Sequence, residues 1–242
     1  MKIIDAVWEK RNLNLNTTEI DVEAEDTFDS LLETITNDTS DYLVVRLPAG
    51  SSKLLCNMER LGLTYVEDMV RLVHNLNSVV LTPVELRMFA QTGIRKMDGS
   101  ELDELCRQVE RGIFGTDRIS VDSFFDENVA NKRYAYWIRD EFERGTSFYF
   151  YLYKNQDVGF FSLKEQENGV YVSTLGGLYV DKRIGGLGSI ISYHVIDEVK
   201  RLGGTKVKIS VSTNNIVDLK AVICNGYVPE YIEHIYIKHR EN

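Results

Sequence analysis

Between Val180 and Ser189 the chain reads VDKRIGGLGS, with Gly185, Gly186 and Gly188 crowded ahead of a stretch of helical periodicity. Ile191, Val195, Val199 and Leu202 fall at i, i+4, i+8 and i+11, one apolar stripe that Gly203-Gly204 ends. A helix leaving such a loop aims free backbone N–H groups and the positive end of its dipole out of it. Glycines let a phosphate approach those groups to hydrogen-bond distance, because no Cβ stands in the way. The chemistry of this segment is anion binding by backbone.

Three phosphate ligands compete for the loop. A dinucleotide site requires Gly-x-Gly-x-x-Gly and an acidic residue ending the next strand, whereas RIGGLG is followed by a strand ending at Ser212-Thr213-Asn214. A nucleoside-triphosphate loop requires Lys and then Ser or Thr after the last glycine, and Gly188 is followed by Ser189-Ile190. The third ligand is coenzyme A. Arg183-Ile184-Gly185-Gly186-Leu187-Gly188 fits the pattern Arg/Gln-x-x-Gly-x-Gly, and in this the sequence resembles the GNAT superfamily of N-acetyltransferases over roughly residues 85–242.

The resemblance implies a GNAT fold, a mixed and mostly antiparallel sheet splayed at its fourth strand, with acetyl-CoA as co-substrate and no metal. It implies that Arg183, Ile184, Gly185, Gly186, Leu187, Gly188 and Ser189 hold the pyrophosphate. DVGFFSL at Asp157–Leu163 looks like the family's second hairpin strand and GGLYV like its fourth, with Gly176-Gly177 suited to the bulge. Leu178 and Val180 would then pair with the pantetheine arm as with an added strand. Asn215, ahead of a short helix and the pair Gly226-Tyr227, matches the family's coenzyme-contacting Asn.

Two positions depart from the family. Its usual thiolate-protonating Tyr is replaced by Val222, and the Glu that serves many members as base falls near Val172. Tyr179 is a substitute acid on the fourth strand, with Tyr149, Tyr151 and Tyr153 alternating along another strand. Each has sheet packing as its competing reading, and Cys224 is read as a core residue. A coenzyme thiolate with a pKa of about 8.5 also leaves unaided and takes its proton from water.

A narrower likeness extends over most of the chain. GIFGTDRISVDSFFDENVANKRYAYWIRDEFERG and VVRLPAGSSKLLCNMERLGLTYVEDMVRLVH resemble parts of dTDP-fucosamine acetyltransferases, which implies a nucleotide-linked amino sugar as acceptor. Arg118 would there meet the diphosphate, against the alternative of a surface salt bridge. Two other functions remain open: a non-catalytic acyl-CoA-binding module and an acetyltransferase of peptide amines. An acidic cleft suits cationic peptides and a basic one a dTDP-sugar, so the charge of the cleft separates those acceptors.

The elements that must position these residues follow from period and punctuation. DYLVVRLPAGSSKLLCNMERLGLTYVEDMVRLVHNL reads as strand, turn at Pro48-Ala49-Gly50, short helix, Gly62 and strand; VKISVSTNNIVDLKAVICNGYVPEYIEHIYIKH repeats that order. NSVVLTPVELRMFAQTGIRKMDGSEL reads as junction plus strand, followed by helices near Glu101–Gly112 and Val129–Arg144. Three strands then turn at Lys154-Asn155-Gln156-Asp157 and Glu167-Asn168-Gly169. The expected organisation is α/β: a partial GNAT-like half-domain over residues 1–77, then a GNAT domain over residues 78–242.

Composition limits the rest. The 242 residues are 43% apolar with a net charge of -9, enough for a core and repulsive toward nucleic acid and anionic membrane. Cys56, Cys106 and Cys224 have no pairing or zinc spacing, and His74, His194, His234 and His239 no metal-ligand spacing. With no leader-like N-terminus and no long apolar run, the expectation is a cytoplasmic protein acting on a small amine, with neither nucleic-acid nor membrane partner and homodimerisation open.

Overall fold

The computed structural model describes residues 1–182 and 184–240, the Glu127 side chain aside. The first unit runs β1 (Lys2–Asp5), α1 (Val7–Leu13), β2 (Thr17–Asp21), α2 (Phe28–Asn37), β3 (Tyr42–Pro48), α3 (Ser52–Leu55) and β4 (Thr64–His74). Then come α4 (Pro83–Phe89), β5 (Thr92–Lys96), α5 (Leu102–Glu110), α6 (Arg118–Val121), α7 (Glu127–Glu143), β6 (Ser147–Tyr153) and β7 (Gln156–Glu165). The chain closes with β8 (Val170–Ser173), β9 (Gly176–Leu178), α8 (Leu187–Arg201), β10 (Lys206–Ser212), α9 (Ile216–Cys224) and β11 (Val228–His239). The segment around Pro83, read above as a junction, is helical because Thr82 and Glu85 form a reciprocal cap with the proline in the first turn.

The described strands join in one sheet of order β1-β2-β3-β11-β4-β10-β8-β7-β6-β5, with β9 continuing beside β7. Its middle is an exchange. β11 lies antiparallel between β3 and β4, and β4 lies between β11 and β10, so each strand–helix–strand unit sends its last strand against the other unit's first. Strand alternation sends Val70 and Leu72 of β4 into a core shared with Ile190, Val195 and Val199 of α8. Leu43, Val45 and Leu47 of β3 pack with Leu31 and Ile35 of α2 on that same face. On the opposite face Phe148, Phe150 and Phe160 pack with Leu105, Val109 and Ile138 of α5 and α7. No described helix is long and apolar enough to cross a membrane.

A buried ion cluster ties the first unit to that opposite face. Glu9 of α1 is 0% exposed and accepts 2.6 and 2.9 Å bonds from the Arg133 guanidinium of α7. One Arg118 nitrogen donates to Glu9 at 3.2 Å and to Glu19 of β2 at 3.0 Å, and Arg46 donates to Glu19 at 2.7 Å.

Candidate active site

The glycine loop opens where α8 begins. Gly186 is the N-cap at φ +79°, a conformation that only glycine adopts at little cost, and no side chain caps the helix. Its first turn carries no acidic residue. Leu187 is wholly buried and anchors the turn, while Ile184, Gly185, Gly186, Gly188 and Ser189 line a cleft. A Cβ on Gly185 would meet nothing within 4 Å. The Ser189 carbonyl accepts from Asn225 Nδ2 at 2.7 Å, which fixes the helix start against the end of α9. Arg183 lies outside the described residues.

The cleft, of about 1530 Å³, runs through a gap in the sheet. β8 and β10 pair in parallel from Lys206↔Val170 to Ile209↔Ser173, then part: β9 stays on β7 while β10 follows β4. A one-residue misfit marks the parting. From Phe161↔Gly176 to Lys164↔Val172 there are three steps along β7 and four along its partner. The extra residue falls between Ser173 and Leu175, where Ser162 Oγ accepts the Leu175 N–H at 3.0 Å. The bulge therefore precedes Gly176-Gly177, which are themselves paired in β9. Tyr179 donates its N–H to Val158, so by alternation the Leu178 N–H and C=O face away from β7, toward the gap. Val180 has already left the strand in a 3-10 turn, half exposed.

Asn215 lines the cleft, but its side chain caps α9 by accepting the Asp218 N–H at 3.3 Å. Val222 also lines it, buried. Cys224, read as core, is instead exposed and lies on the cleft, because α9 packs on α8 and β10 with one face only. Tyr179 is buried among Phe148, Phe160 and Leu175, with burial raising its hydroxyl pKa, and does not line the cleft. Of the alternating tyrosines Tyr151 does line it, close to Tyr227 and Asp218, and its pKa is raised by burial. Asp218 stands one turn before Val222 at the cleft wall, its carboxyl raised by desolvation.

Beyond the gap the walls come from both units: Trp8 of α1, Met69 and Arg71 of β4, Phe114 to Arg118, and Tyr134 and Trp137 of α7. Phe114 stacks on Tyr134 at 3.9 Å and Tyr134 on Trp137 at 5.8 Å, giving an aromatic wall. Arg46, Arg71, Arg118, Arg133, Arg144 and Lys220 line the cleft against Glu19, Glu67, Asp117, Asp140 and Asp218, so its charge is mixed. Arg118 is paired, but inside the buried cluster and not on the surface. Sequence reasoning missed Glu67, Asp218 and the first unit's contribution. One signal was present: Glu67, Met69 and Arg71 alternate on one face of a strand whose other face carries Val66, Val70 and Leu72. Among the described residues no group of His, Cys, Asp and Glu could hold a metal ion.

No protein-family profile matches the sequence, and no curated protein does. Solved structures do. A GCN5-related N-acetyltransferase from Sphaerobacter thermophilus matches with TM-score 0.59 and 16% identity over 82% of this chain and 59% of its own, so the chain spans under two thirds of that relative. A tandem GNAT protein from the clavulanic acid biosynthesis pathway matches at TM-score 0.56 and 10% identity, over 93% of this chain and 76% of its own. A GCN5-related glucosamine N-acetyltransferase region of a fungal multi-domain GH3 β-N-acetylglucosaminidase gives TM-score 0.63 and 14% identity, over 87% and 27%. The chain has the GNAT fold.

Proposed function

We propose that the protein is an acetyl-CoA-dependent N-acetyltransferase of a small amine, with an amino sugar as acceptor. One observation carries the reading: a single cleft leads from an uncapped, acid-free helix start, through a gap edged by unpaired strand backbone, to an aromatic wall on the far face of the sheet. Acetyl-CoA fits this path. Its pyrophosphate suits the N–H groups of Gly186, Gly188 and Ser189, the Leu187 N–H being bonded to Ile184, and its pantetheine amides suit the free edge at Leu178. Coenzyme A supplies the acetyl thioester when bound; the chain supplies alignment, exclusion of water and proton transfer.

The aromatic wall supports a sugar ring, whose apolar face stacks on Trp137 and Tyr134 while its hydroxyls meet the polar lining. The fungal neighbour's name carries the same acceptor chemistry, glucosamine. The mixed charge gives no support to a cationic peptide. Arg118, engaged by Glu9 and Glu19, is a poor diphosphate ligand, so a nucleotide handle on the sugar would rest on other groups.

Calorimetry with acetyl-CoA, followed by thiol release against glucosamine, a dTDP-4-amino-4,6-dideoxyhexose and a lysine peptide, tests the reading. Amino sugars are expected to exceed the peptide by about 100-fold in kcat/KM. Trp137→Ala is expected to raise sugar KM about tenfold, with acetyl-CoA affinity unchanged. Preference for the peptide, or acetyl-CoA binding without turnover on any amine, would overturn the assignment.

A further inference from the structure

We propose that Glu67, supplied by β4 of the first unit, is the base that takes the proton from the acceptor ammonium; this rests on the acetyltransferase reading above. Three observations carry it. Glu67 is 2% exposed and lines the cleft, yet its Oε2 has no hydrogen-bond partner. A buried carboxylate oxygen left unpaired is costly and has to be accounted for by what enters beside it. Its Oε1 accepts the Arg118 N–H at 3.2 Å, which fixes the carboxyl without using the second oxygen.

The second observation is position. β10 ends at Ser212, opposite Met69, so β4 runs on past the lip of the gap and presents Glu67 beyond it. The Arg118 bond and the nearness of Tyr134 place it on the far face, where an acceptor would stand with its amine toward the thioester.

The third is the environment. Ser212, Asp117, the Arg118 backbone and guanidinium, and Tyr134 are the polar groups facing the carboxyl. Burial raises its pKa, with Asp117 adding to the rise while Ser212 and Arg118 oppose it. A carboxyl shifted upward is a better match for an ammonium proton than an ordinary one. Glu19 and Asp140 are engaged by arginines and Asp117 by Ser120, and Asp218 sits near Tyr151 and Tyr227 on the α8 face of the sheet, so Glu67 is the described cleft carboxylate that combines burial with an open oxygen on the far face.

The step balances without a further reactant. The ammonium gives one proton to the Glu67 carboxylate, and the neutral nitrogen adds to the thioester carbonyl carbon, whose π pair moves to oxygen. Collapse breaks the C–S bond; the second nitrogen proton passes to the departing thiolate, yielding amide and free coenzyme A, and Glu67 returns its proton to water. The position near Val172, where the family resemblance placed a base, then needs none.

Wild type, Glu67→Gln and Glu67→Asp, each as the full chain, are compared for acetyl-CoA affinity and for thiol release with glucosamine and the dTDP-amino sugar. The expected result for Glu67→Gln is acetyl-CoA affinity within about twofold of wild type and a loss of about 100-fold in kcat/KM at neutral pH. The loss should shrink toward the amine's own pKa, where solvent supplies the free amine, and Glu67→Asp should keep a larger share of the rate. A Glu67→Gln enzyme within about threefold of wild type, or a deficit that does not change with pH, would overturn the role while leaving the acetyltransferase reading standing. A wild type that binds acetyl-CoA and turns over neither sugar would overturn that reading, and this role with it.

Discussion

Two helices occupy the same place in two units of like order. α2 joins the parallel strands β2 and β3; α8 joins β8–β9 to its parallel neighbour β10. At α2 Thr27 accepts the Ser30 N–H, Ser30 returns a bond to the Thr27 backbone, and Asp29 lies in the first turn. Helix and dipole are satisfied by the chain itself. At α8 a glycine stands in the cap position, with no side-chain bond and no acid. The strands differ in the same sense. β2 and β3 pair from Thr17↔Tyr42 to Asp21↔Arg46, and the Val22 N–H still reaches Arg46 at 2.9 Å. β8 and β10 separate after four pairs. The candidate ligand site is the unit in which the fold stops short of satisfying its own backbone; the first unit closes and donates side chains to the other's cleft.

The largest expected effect breaks the joint between the two regions. Glu9→Gln leaves Arg133 and part of Arg118 buried without their carboxylate, at a cost of about 3–5 kcal/mol, or a fall of roughly 10 °C in melting temperature by calorimetry. Burial works against the Glu9 charge, but Arg133 and Arg118 outweigh it and hold the carboxyl below its ordinary 4.5. Its stabilisation is therefore present above that value and lost as pH falls through the folded one, so wild type and variant should converge in acid.

The next makes the open helix resemble the closed one. Gly188 holds the second helical position of α8, as Asp29 does in α2, and a Cβ there would meet only Leu178 Cδ1 at 3.9 Å. Gly188→Asp is expected to weaken acetyl-CoA about 100-fold, roughly 2.7 kcal/mol, because a carboxylate takes the pyrophosphate's place at the dipole. The melting temperature should hold or rise slightly. Undiminished affinity in calorimetry would mean that the helix start is not the phosphate site.

How much of this was legible in the sequence follows from the range of the contacts involved. The glycine loop and its helix were readable because cap, turn and apolar stripe are local. The strand–helix–strand repeat was readable for the same reason. The bulge was misplaced by two residues because it depends on Ser162, a side chain on the neighbouring strand. Arg118 pointed to a diphosphate in isolation, since nothing local shows that Glu9 and Glu19, each about a hundred residues away, will surround it. Glu67 alternates visibly with Met69 and Arg71, but its place in the site was not legible because its strand enters only through the exchange of β4 and β11, a pairing that no local pattern encodes.

The smallest effect sharpens the contrast within that exchanged pair, where Glu67 faces Ile235 across β4 and β11. Ile235 packs with Tyr42 and Ile237 and serves the core; Glu67 leaves an oxygen without a partner and weakens it. Glu67→Gln should therefore stabilise the free protein at neutral pH by about 1 kcal/mol, a rise of roughly 2–4 °C in melting temperature. The sign follows from linkage. With the folded pKa raised by burial, the wild type has its full stability below the ordinary 4.5 and loses part of it as pH rises through the folded value. The neutral amide does not ionise, so the two melting curves should coincide below the ordinary 4.5 and separate as pH rises above it, the variant higher. An unchanged gap across that range would mean that Glu67 keeps its proton throughout, or finds a cation to balance it, and in either case the carboxyl would not be free to serve as a base.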